Sequence, residues 1–173
     1  LFLVVEIGDP HVPLLDGDSM EPIHRFASRY ALHGGPKYSP DGRYVYFGSR
    51  DGWITKYDLY NLKVVAEIRA GINMRNIAVS ADGDHVMAAN YLPHTLVLFD
   101  ADNLDLLEII PVENDAKESS RVSAVYAAPP RNSFIAALKD IPEAWEITVE
   151  NDRAKVRRMQ TDTWLDDFFF DPG

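Results

Sequence analysis

The chain has 173 residues, no cysteine and a formal net charge of −10 at pH 7, and 46% of its residues are hydrophobic. This length and apolar content suit one domain with a buried core, whereas the acidic balance argues against a nucleic acid partner, which needs clustered Lys and Arg. The lack of cysteine excludes disulfides, thiolate metal sites and cysteine nucleophiles, and no apolar run is long enough for a transmembrane helix.

The first predicted element is the apolar run 1–5, which opens the chain inside a strand pattern, and a turn signal follows at 16–20. The second unit is the clearest one, and it contains Asp51-Gly52 between two β-rich runs. Glycine supplies a positive φ there and the Asp side chain bonds nearby backbone, which is typical of a hairpin. This unit reads as an antiparallel meander with predicted strands at 44–47, 53–57 and 63–68.

Two turn signals recur about 42 residues apart. The segment 39–45, which begins Ser39-Pro40-Asp41-Gly42, returns at 80–86 as Ser80-Ala81-Asp82-Gly83, and 58–62 returns at 100–104. The third unit repeats the meander with strands at 86–89, 95–99 and 106–110. Several short strands repeated at this period are typical of a β-propeller blade, so we predict an all-β propeller fold.

The fourth unit is weaker and follows a polar surface loop at 113–120. Its predicted strands are 121–125, 133–138 and 144–148, and the chain closes on an aromatic run, 168–173, that reads as half a buried strand and a turn. We therefore predict that residues 1–173 form a single propeller fragment of about four blades, with the first and last blades incomplete and both ends cut. A missing propeller half, or a second copy in a homo-oligomer, is expected to cover the open faces.

Three residues stand where neighbouring inner strands are expected to begin: His33, Arg75 and Arg121. Because they recur with the repeat, we expect them to occupy similar places and to converge. Gly34 and Gly35 let the backbone pass close to a bulky ligand, and a neutral imidazole binds metals or acts as acid or base. Guanidinium groups suit carboxylates. The plainer alternatives are a surface histidine and arginines in salt bridges between blades.

The hairpin turns at the same rim carry Arg50 and Lys139. A basic channel mouth on an acidic protein suggests a polyanionic small molecule, although ordinary polar turn residues would give the same pattern. The sequence has no HExxH pair, Gly-rich phosphate loop or GxSxG elbow, so a self-contained hydrolase or nucleotide site is poorly supported.

Four segments in fixed order, 32–44, 48–54, 66–71 and 89–95, resemble the d1-type propeller family, and within it NirF. NirF is a protein of heme d1 biosynthesis similar to the eight-bladed d1 domain of cytochrome cd nitrite reductase and to NirN. The resemblance implies about half of an eight-bladed ring and, as ligand or substrate, heme d1 or a d1 precursor. It also implies a role in denitrification and a periplasmic location, in some members with a lipid anchor.

The resemblance further implies a role for individual residues. His33 matches the axial ligand of heme d1 iron, and Arg50, Arg75 and Arg121 are expected to bind the macrocycle carboxylates. Lys37 and Lys139 are weaker candidates for the same task. A distal histidine of the reductase is expected near 128–131, where this chain has Ala-Pro-Pro-Arg, so the sequence argues against a nitrite reductase.

We therefore predict a protein that binds a d1-type tetrapyrrole and takes part in heme d1 biosynthesis, with other maturation proteins or the nitrite reductase as further partners. Whether it catalyses a side-chain conversion or carries an intermediate stays open, and His33 is the first candidate for an essential group. The alternative is a non-enzymatic propeller scaffold for protein-protein interaction, which predicts no response to any tetrapyrrole.

Overall fold

The computed structural model describes residues 1–6 and 8–161, and the predicted aromatic segment 168–173 lies outside them. The described residues form fifteen β-strands and one short 3-10 helix, Pro129–Arg131, and none of their helices is long and apolar enough to cross a membrane. The all-β prediction is confirmed.

The strands form four antiparallel sheets in which consecutive strands pair, so every sheet is a meander. The first sheet has three strands: β1 (Phe2–Leu3), β2 (His11–Leu15) and β3 (Pro22–Ala27). The second comprises β4 (Lys37–Tyr38), β5 (Tyr44–Gly48), β6 (Trp53–Asp58) and β7 (Lys63–Arg69). The third comprises β8 (Asn73–Val79), β9 (His85–Leu92), β10 (Thr95–Asp100) and β11 (Leu106–Pro111). The fourth comprises β12 (Val122–Ala128), β13 (Ser133–Leu138), β14 (Glu143–Glu150) and β15 (Arg153–Gln160).

The fourth sheet has one strand more than predicted. Its last strand, β15, pairs with β14 along its whole length, from Glu143 opposite Gln160 to Glu150 opposite Arg153. The sequence signals predict three strands in this sheet, and the structure shows a fourth. Half of the residues of β15 are charged and most are exposed, so the strand gives only a weak pattern of apolar alternation.

The repeated turn signals have a local physical cause. Asp58 Oδ1 accepts the backbone N–H groups of Tyr60 and Asn61, and Asp100 Oδ1 does the same for Asp102 and Asn103. Asp16 repeats the pattern once more with Asp18 and Ser19. Each turn ends on a residue with positive φ, namely Met20, Leu62 and Leu104. An acidic side chain that caps its own turn explains why the aspartate recurs.

Apolar side chains fill the three interfaces between neighbouring sheets. Val12 meets Val45, Phe47 and Tyr57 between the first and second sheets. The second interface, between the second and third sheets, includes Tyr46, Ile54, Ile77, Val86 and Phe99. The third, between the third and fourth sheets, includes Met87, Leu96, Leu98, Phe134, Trp145 and Ile147. Replacing a buried aromatic side chain of this kind by alanine lowers the free energy of unfolding by about 3–5 kcal/mol. Packing of this strength holds the sheets in a fixed stack.

The first strands of the second to fourth sheets lie innermost, since β8 packs against both β4 and β12. We call the end where these strands begin, and where β5, β9 and β13 end, the site rim. The turns after β8 and β12 lie at the opposite rim. Because β12 runs from Val122 opposite Leu138 to Ala128 opposite Ser133, the two rims are about 20 Å apart along the strand.

Candidate functional site

The pairing register shows which positions at the site rim are equivalent. One residue of each inner segment pairs with a residue at or near the end of the second strand of its sheet, in the pairs Leu32–Ser49, Met74–Asn90 and Val122–Leu138. The residues that follow these are His33, Arg75 and Ser123. His33 and Arg75 are thus structurally equivalent and stand 42 residues apart. The predicted equivalence of Arg121 is wrong, since Ser123 holds that position.

The residue at this position is the extra residue of a β-bulge in both β8 and β12. The register of β8 shifts between Met74 and Asn76, which leaves Arg75 as the extra residue, and β12 shifts in the same way around Ser123. Bulges re-aim a side chain without ending a strand and are frequent beside functional sites. The sequence period alone does not reveal them.

His33 contacts Arg75 through both ring nitrogens. Its Nδ1 lies 2.6 Å from the Arg75 carbonyl oxygen, and Nη1 of the Arg75 guanidinium lies 3.4 Å from Nε2. A carbonyl only accepts and a guanidinium only donates, so both contacts assign the same tautomer, with the proton on Nδ1 and the lone pair on Nε2. The backbone N–H of His33 also donates to the Gly48 carbonyl at 2.8 Å, which fixes the loop under the imidazole.

Gly34 has no room for a side chain. Its φ is +83°, and a Cβ there would lie 2.5 Å from Cβ of Asn76 and 3.4 Å from the carbonyl oxygen of Arg75. The close approach of this glycine lets His33 reach the Arg75 carbonyl. The two glycines after His33 were predicted to allow a close backbone approach to a ligand, and Gly34 instead allows an approach to the neighbouring inner strand.

Gly34→Ala is expected to destabilise the protein by about 1–3 kcal/mol, because the added methyl overpacks the inner strands. Gly42→Ala is the matched control, since Gly42 has a similar φ of +71° but nothing within 4 Å of its Cβ position. Urea unfolding of both variants separates the clash from the backbone strain that both share. Equal losses of stability in the two variants would contradict the close packing of Gly34.

Two arginines flank one tyrosine beside His33. The guanidinium carbon of Arg75 lies 5.5 Å from the ring centroid of Tyr91, and that of Arg121 lies 5.4 Å from the same centroid. Both distances are within cation-π range. Arg121 therefore joins the group despite its shifted strand position. We call His33, Arg75, Tyr91, Arg121 and Asp140 the rim cluster. Sequence reasoning missed Tyr91, although an aromatic residue in a rim turn was the available signal.

Asp140 neutralises Arg121. The Arg121 Nε and Nη2 groups donate to the two Asp140 oxygens at 2.9 and 2.5 Å, and the backbone N–H of Arg121 donates to Oδ2 at 2.9 Å. This Arg121 guanidinium lowers the pKa of the Asp140 carboxyl to about 2. Among the residues that the structure describes, no carboxylate pairs with the guanidinium of Arg75. The two arginines thus differ in available charge.

The Arg121–Asp140 pair gives an expected pH dependence. A carboxyl whose pKa is lower in the folded than in the unfolded chain adds stability above the unfolded value, near 4, and loses it as the pH falls toward the folded value. The gap in melting temperature between wild type and Asp140→Asn is expected to be constant above pH 5 and to close between pH 4 and about 2. Thermal melts across this range check it, with the exposed Asp18→Asn as control; a gap that stays constant down to pH 2 would refute the assignment.

The remaining predicted residues differ in what they contact. Arg50 lies at the rim with an exposed side chain, and its backbone accepts from Met74 N–H and donates to the Ala31 carbonyl. Lys37 is turned back onto the loop, where Nζ donates to the Gly34 carbonyl at 2.8 Å, and burial lowers its pKa. Lys139 lies beside Arg121, to whose carbonyl its backbone N–H donates.

The segment 128–131 is not at the site rim. Its 3-10 helix connects the far end of β12 to β13 at the opposite rim, so the prolines there carry no information about a distal histidine. A histidine does stand on the site rim: His94 follows β9 in a turn, and its Nδ1 lies 2.8 Å from Ser119 Oγ.

A small cleft lies against His33. It has a volume of about 250 Å³, and its lining is mostly apolar, with Val5, Leu32, Pro36 and Phe47 beside the histidine. The site rim therefore combines an apolar surface, an imidazole whose unprotonated Nε2 faces the Arg75 guanidinium at 3.4 Å, and a guanidinium that no described carboxylate pairs with. That combination can hold the iron and an acidic edge of a large planar ligand.

Comparisons with known proteins agree with this chemistry. The Cytochrome D1 heme domain family matches residues 1–173. The dihydro-heme d1 dehydrogenase of Pseudomonas aeruginosa is 61% identical over 173 residues, which cover 99% of this chain and 35% of that protein. The protein NirF of Stutzerimonas stutzeri is 32% identical over 148 residues, covering 84% of this chain and 38% of NirF. The specific resemblance to NirF is therefore not supported, whereas the d1-type family is.

Solved structures extend the likeness to the fold. The dihydro-heme d1 dehydrogenase NirN in complex with DHE superposes with a TM-score of 0.94 at 61% identity, over 98% of this chain and 37% of that one. The β-propeller domain of Myceliophteria thermophila Cps50 (Swd1) gives 0.60 at 16% identity over 76% of this chain and 40% of that one, which shows the fold alone. The propeller prediction is confirmed. The chain spans little more than a third of the length of these relatives.

Proposed function

The chain belongs to the Cytochrome D1 heme domain family, and on that premise we propose that its site rim binds a d1-type tetrapyrrole, heme d1 or a d1 precursor, in heme d1 biosynthesis. The observation that carries the proposal is the His33 imidazole, whose Nδ1–H is held by the Arg75 carbonyl at 2.6 Å. Metal-binding histidines commonly donate their second ring N–H to a backbone carbonyl in this way. Iron bound at Nε2 would take the lone pair that otherwise accepts from the Arg75 Nη1 group at 3.4 Å.

The described residues fit such a ligand in charge as well as in donor type. The net charge of −10 disfavours anion binding in general, yet the guanidinium of Arg75 lies beside the imidazole and has no carboxylate partner among the described residues. Arg50 adds an exposed guanidinium at the next turn of the same rim. These two groups suit the carboxylates of an acidic macrocycle.

The residues divide the work between them. His33 would hold the iron, Arg75 and Arg50 would bind carboxylates, and the Tyr91 ring contacts the guanidinium groups of both Arg75 and Arg121. An iron tetrapyrrole supplies redox chemistry when it is bound. NirN is a dihydro-heme d1 dehydrogenase, and we propose that this chain contributes to the same biosynthetic pathway. His33 is the first candidate for a group essential to any reaction at the site.

Anaerobic titration with heme d1 or its dihydro precursor tests the proposal. We expect a saturable shift of the Soret and near-red bands on addition of the protein, because axial ligation by an imidazole changes the ligand field of the iron. A propeller that serves only as a protein-interaction scaffold predicts no shift at any concentration, and that result would contradict the proposal.

The cellular context is proposed on the family relationship alone. We propose a periplasmic protein of denitrifying metabolism whose protein partners are other heme d1 maturation proteins or the nitrite reductase. Cell fractionation and a pull-down with the tagged protein under denitrifying growth test both points, and retention in the cytoplasmic fraction would contradict the first.

A further inference from the structure

Asn76 bonds the third sheet to the fourth through a backbone edge. Because β12 is innermost, one of its edges has no partner within its own sheet. The Asn76 side chain on β8 occupies this edge: Nδ2 donates to the Val125 carbonyl at 2.8 Å, and Oδ1 accepts from the Val125 N–H at 2.9 Å. The amide thus satisfies both backbone groups of one residue, as a neighbouring strand would. Only 6% of Asn76 is exposed.

The position of Asn76 in the chain connects its two hydrogen bonds with Val125 to His33. Asn76 directly follows Arg75, the extra residue of the β8 bulge, and pairs with Ala89 on its other side. A residue held on both sides fixes the peptide group that precedes it, and that group contains the Arg75 carbonyl. This carbonyl accepts from His33 Nδ1 at 2.6 Å. Gly34 also packs against Asn76, since a Cβ added to Gly34 would lie 2.5 Å from Cβ of Asn76.

We propose that Asn76 is a positioning residue that sets the tautomer of His33. A carbonyl held at Nδ1 keeps the proton there and leaves the lone pair on Nε2. If the carbonyl turned away, only the longer contact of Arg75 Nη1 with Nε2, at 3.4 Å, would still favour this tautomer, so we expect the neutral ring to populate both. The importance of this arrangement for ligand binding rests on the proposed function, but the tautomer itself is a property of the protein without any ligand.

The test is Asn76→Asp, which keeps the shape of the side chain and removes the donor to Val125. At pH 8, ¹⁵N NMR of the imidazole nitrogens of the ligand-free protein is expected to show His33 as the Nδ1–H tautomer in the wild type and as a mixture in the variant. Tetrapyrrole affinity is expected to fall about 10-fold to 100-fold, the range found when an outer partner of a metal ligand is lost. Asn151→Asp, an exposed turn position, introduces the same charge and is expected to change neither quantity.

A folded Asn76→Asp protein with the wild-type tautomer overturns the proposal, as does a wild type in which the proton is on Nε2. Asn76→Ala removes both hydrogen bonds without adding a charge, and it replaces Asn76→Asp if that variant does not fold; an unchanged tautomer in Asn76→Ala likewise overturns the proposal. A tautomer change without any tetrapyrrole binding by the wild type supports the role of Asn76 and contradicts only the proposed function.

Discussion

Replacing His33 by alanine is expected to weaken tetrapyrrole binding about 100-fold or more and to remove the spectral change that the wild type produces. The side chain is the only imidazole of the rim cluster, and its Nε2 lone pair is the iron donor that the geometry supplies. The fold itself is expected to lose only about 1 kcal/mol, the net value of one hydrogen bond. Anaerobic spectral titration of both proteins, with a urea melt of each, measures the two quantities separately.

His24→Ala is the matched control for this experiment. His24 lies on β3 of the first sheet, where its ring stacks on Phe26, so its loss removes an imidazole of the same chain without touching the site rim. Identical spectra for the wild type and His33→Ala would exclude His33 as the axial ligand. A loss of binding in both variants would point to a general effect on folding.

Arg75→Gln is expected to weaken binding more than Arg121→Gln, although both arginines flank Tyr91. A hydrogen bond to a charged group contributes about 1.5–3 kcal/mol, which corresponds to a loss of about 10-fold to 100-fold in affinity. Arg75 offers its charge to a ligand, because no described carboxylate pairs with it, whereas Arg121 is held by Asp140. We expect the affinity of Arg121→Gln to fall less than 5-fold, by analogy with the small effects of exposed ion pairs.

Dissociation constants of both variants at two salt concentrations measure this asymmetry. The salt dependence of binding is expected to weaken in Arg75→Gln and to stay near the wild-type slope in Arg121→Gln, since only a charge that the ligand neutralises contributes to that slope. Lys63→Gln, at an exposed position of the outer strand β7, controls for the change in net charge. Equal losses at the two arginines, or a larger one at Arg121, would contradict the division of roles.

The fold could be predicted because its signals are local. Asp16, Asp58 and Asp100 each cap their own turn, so the sequence of each turn determines its shape without help from the rest of the chain. The equivalence of His33 and Arg75 followed from the repeat for the same reason. What the repeat could not show was β15, whose charged residues give only a weak strand signal.

The site was predicted only in part, because its remaining features depend on contacts between distant residues. The bulge residue of β12 that corresponds to Arg75 of β8 is Ser123, not Arg121. Asp140 neutralises Arg121 from a turn 19 residues away, and no pattern of spacing in the sequence predicts that ion pair. The error at 128–131 arose from strand direction, since β12 carries the chain from the site rim to the opposite one.

The choice between NirF and NirN depended on the whole chain. Motifs such as 32–44 are short, and their glycines, prolines and aspartates serve turns that any propeller of this family needs. Identity over most of the chain distinguishes the two relatives, at 61% over 173 residues for the dihydro-heme d1 dehydrogenase and 32% over 148 residues for NirF.

The most direct test of the central claim is diffraction at the iron absorption edge from crystals of the protein bound to heme d1 or its dihydro precursor. We predict a single anomalous peak at bonding distance from Nε2 of His33, with macrocycle carboxylates at the guanidinium of Arg75. A peak elsewhere on the propeller, or an iron whose axial position is filled by another residue, would contradict the assignment of the site rim as the tetrapyrrole site.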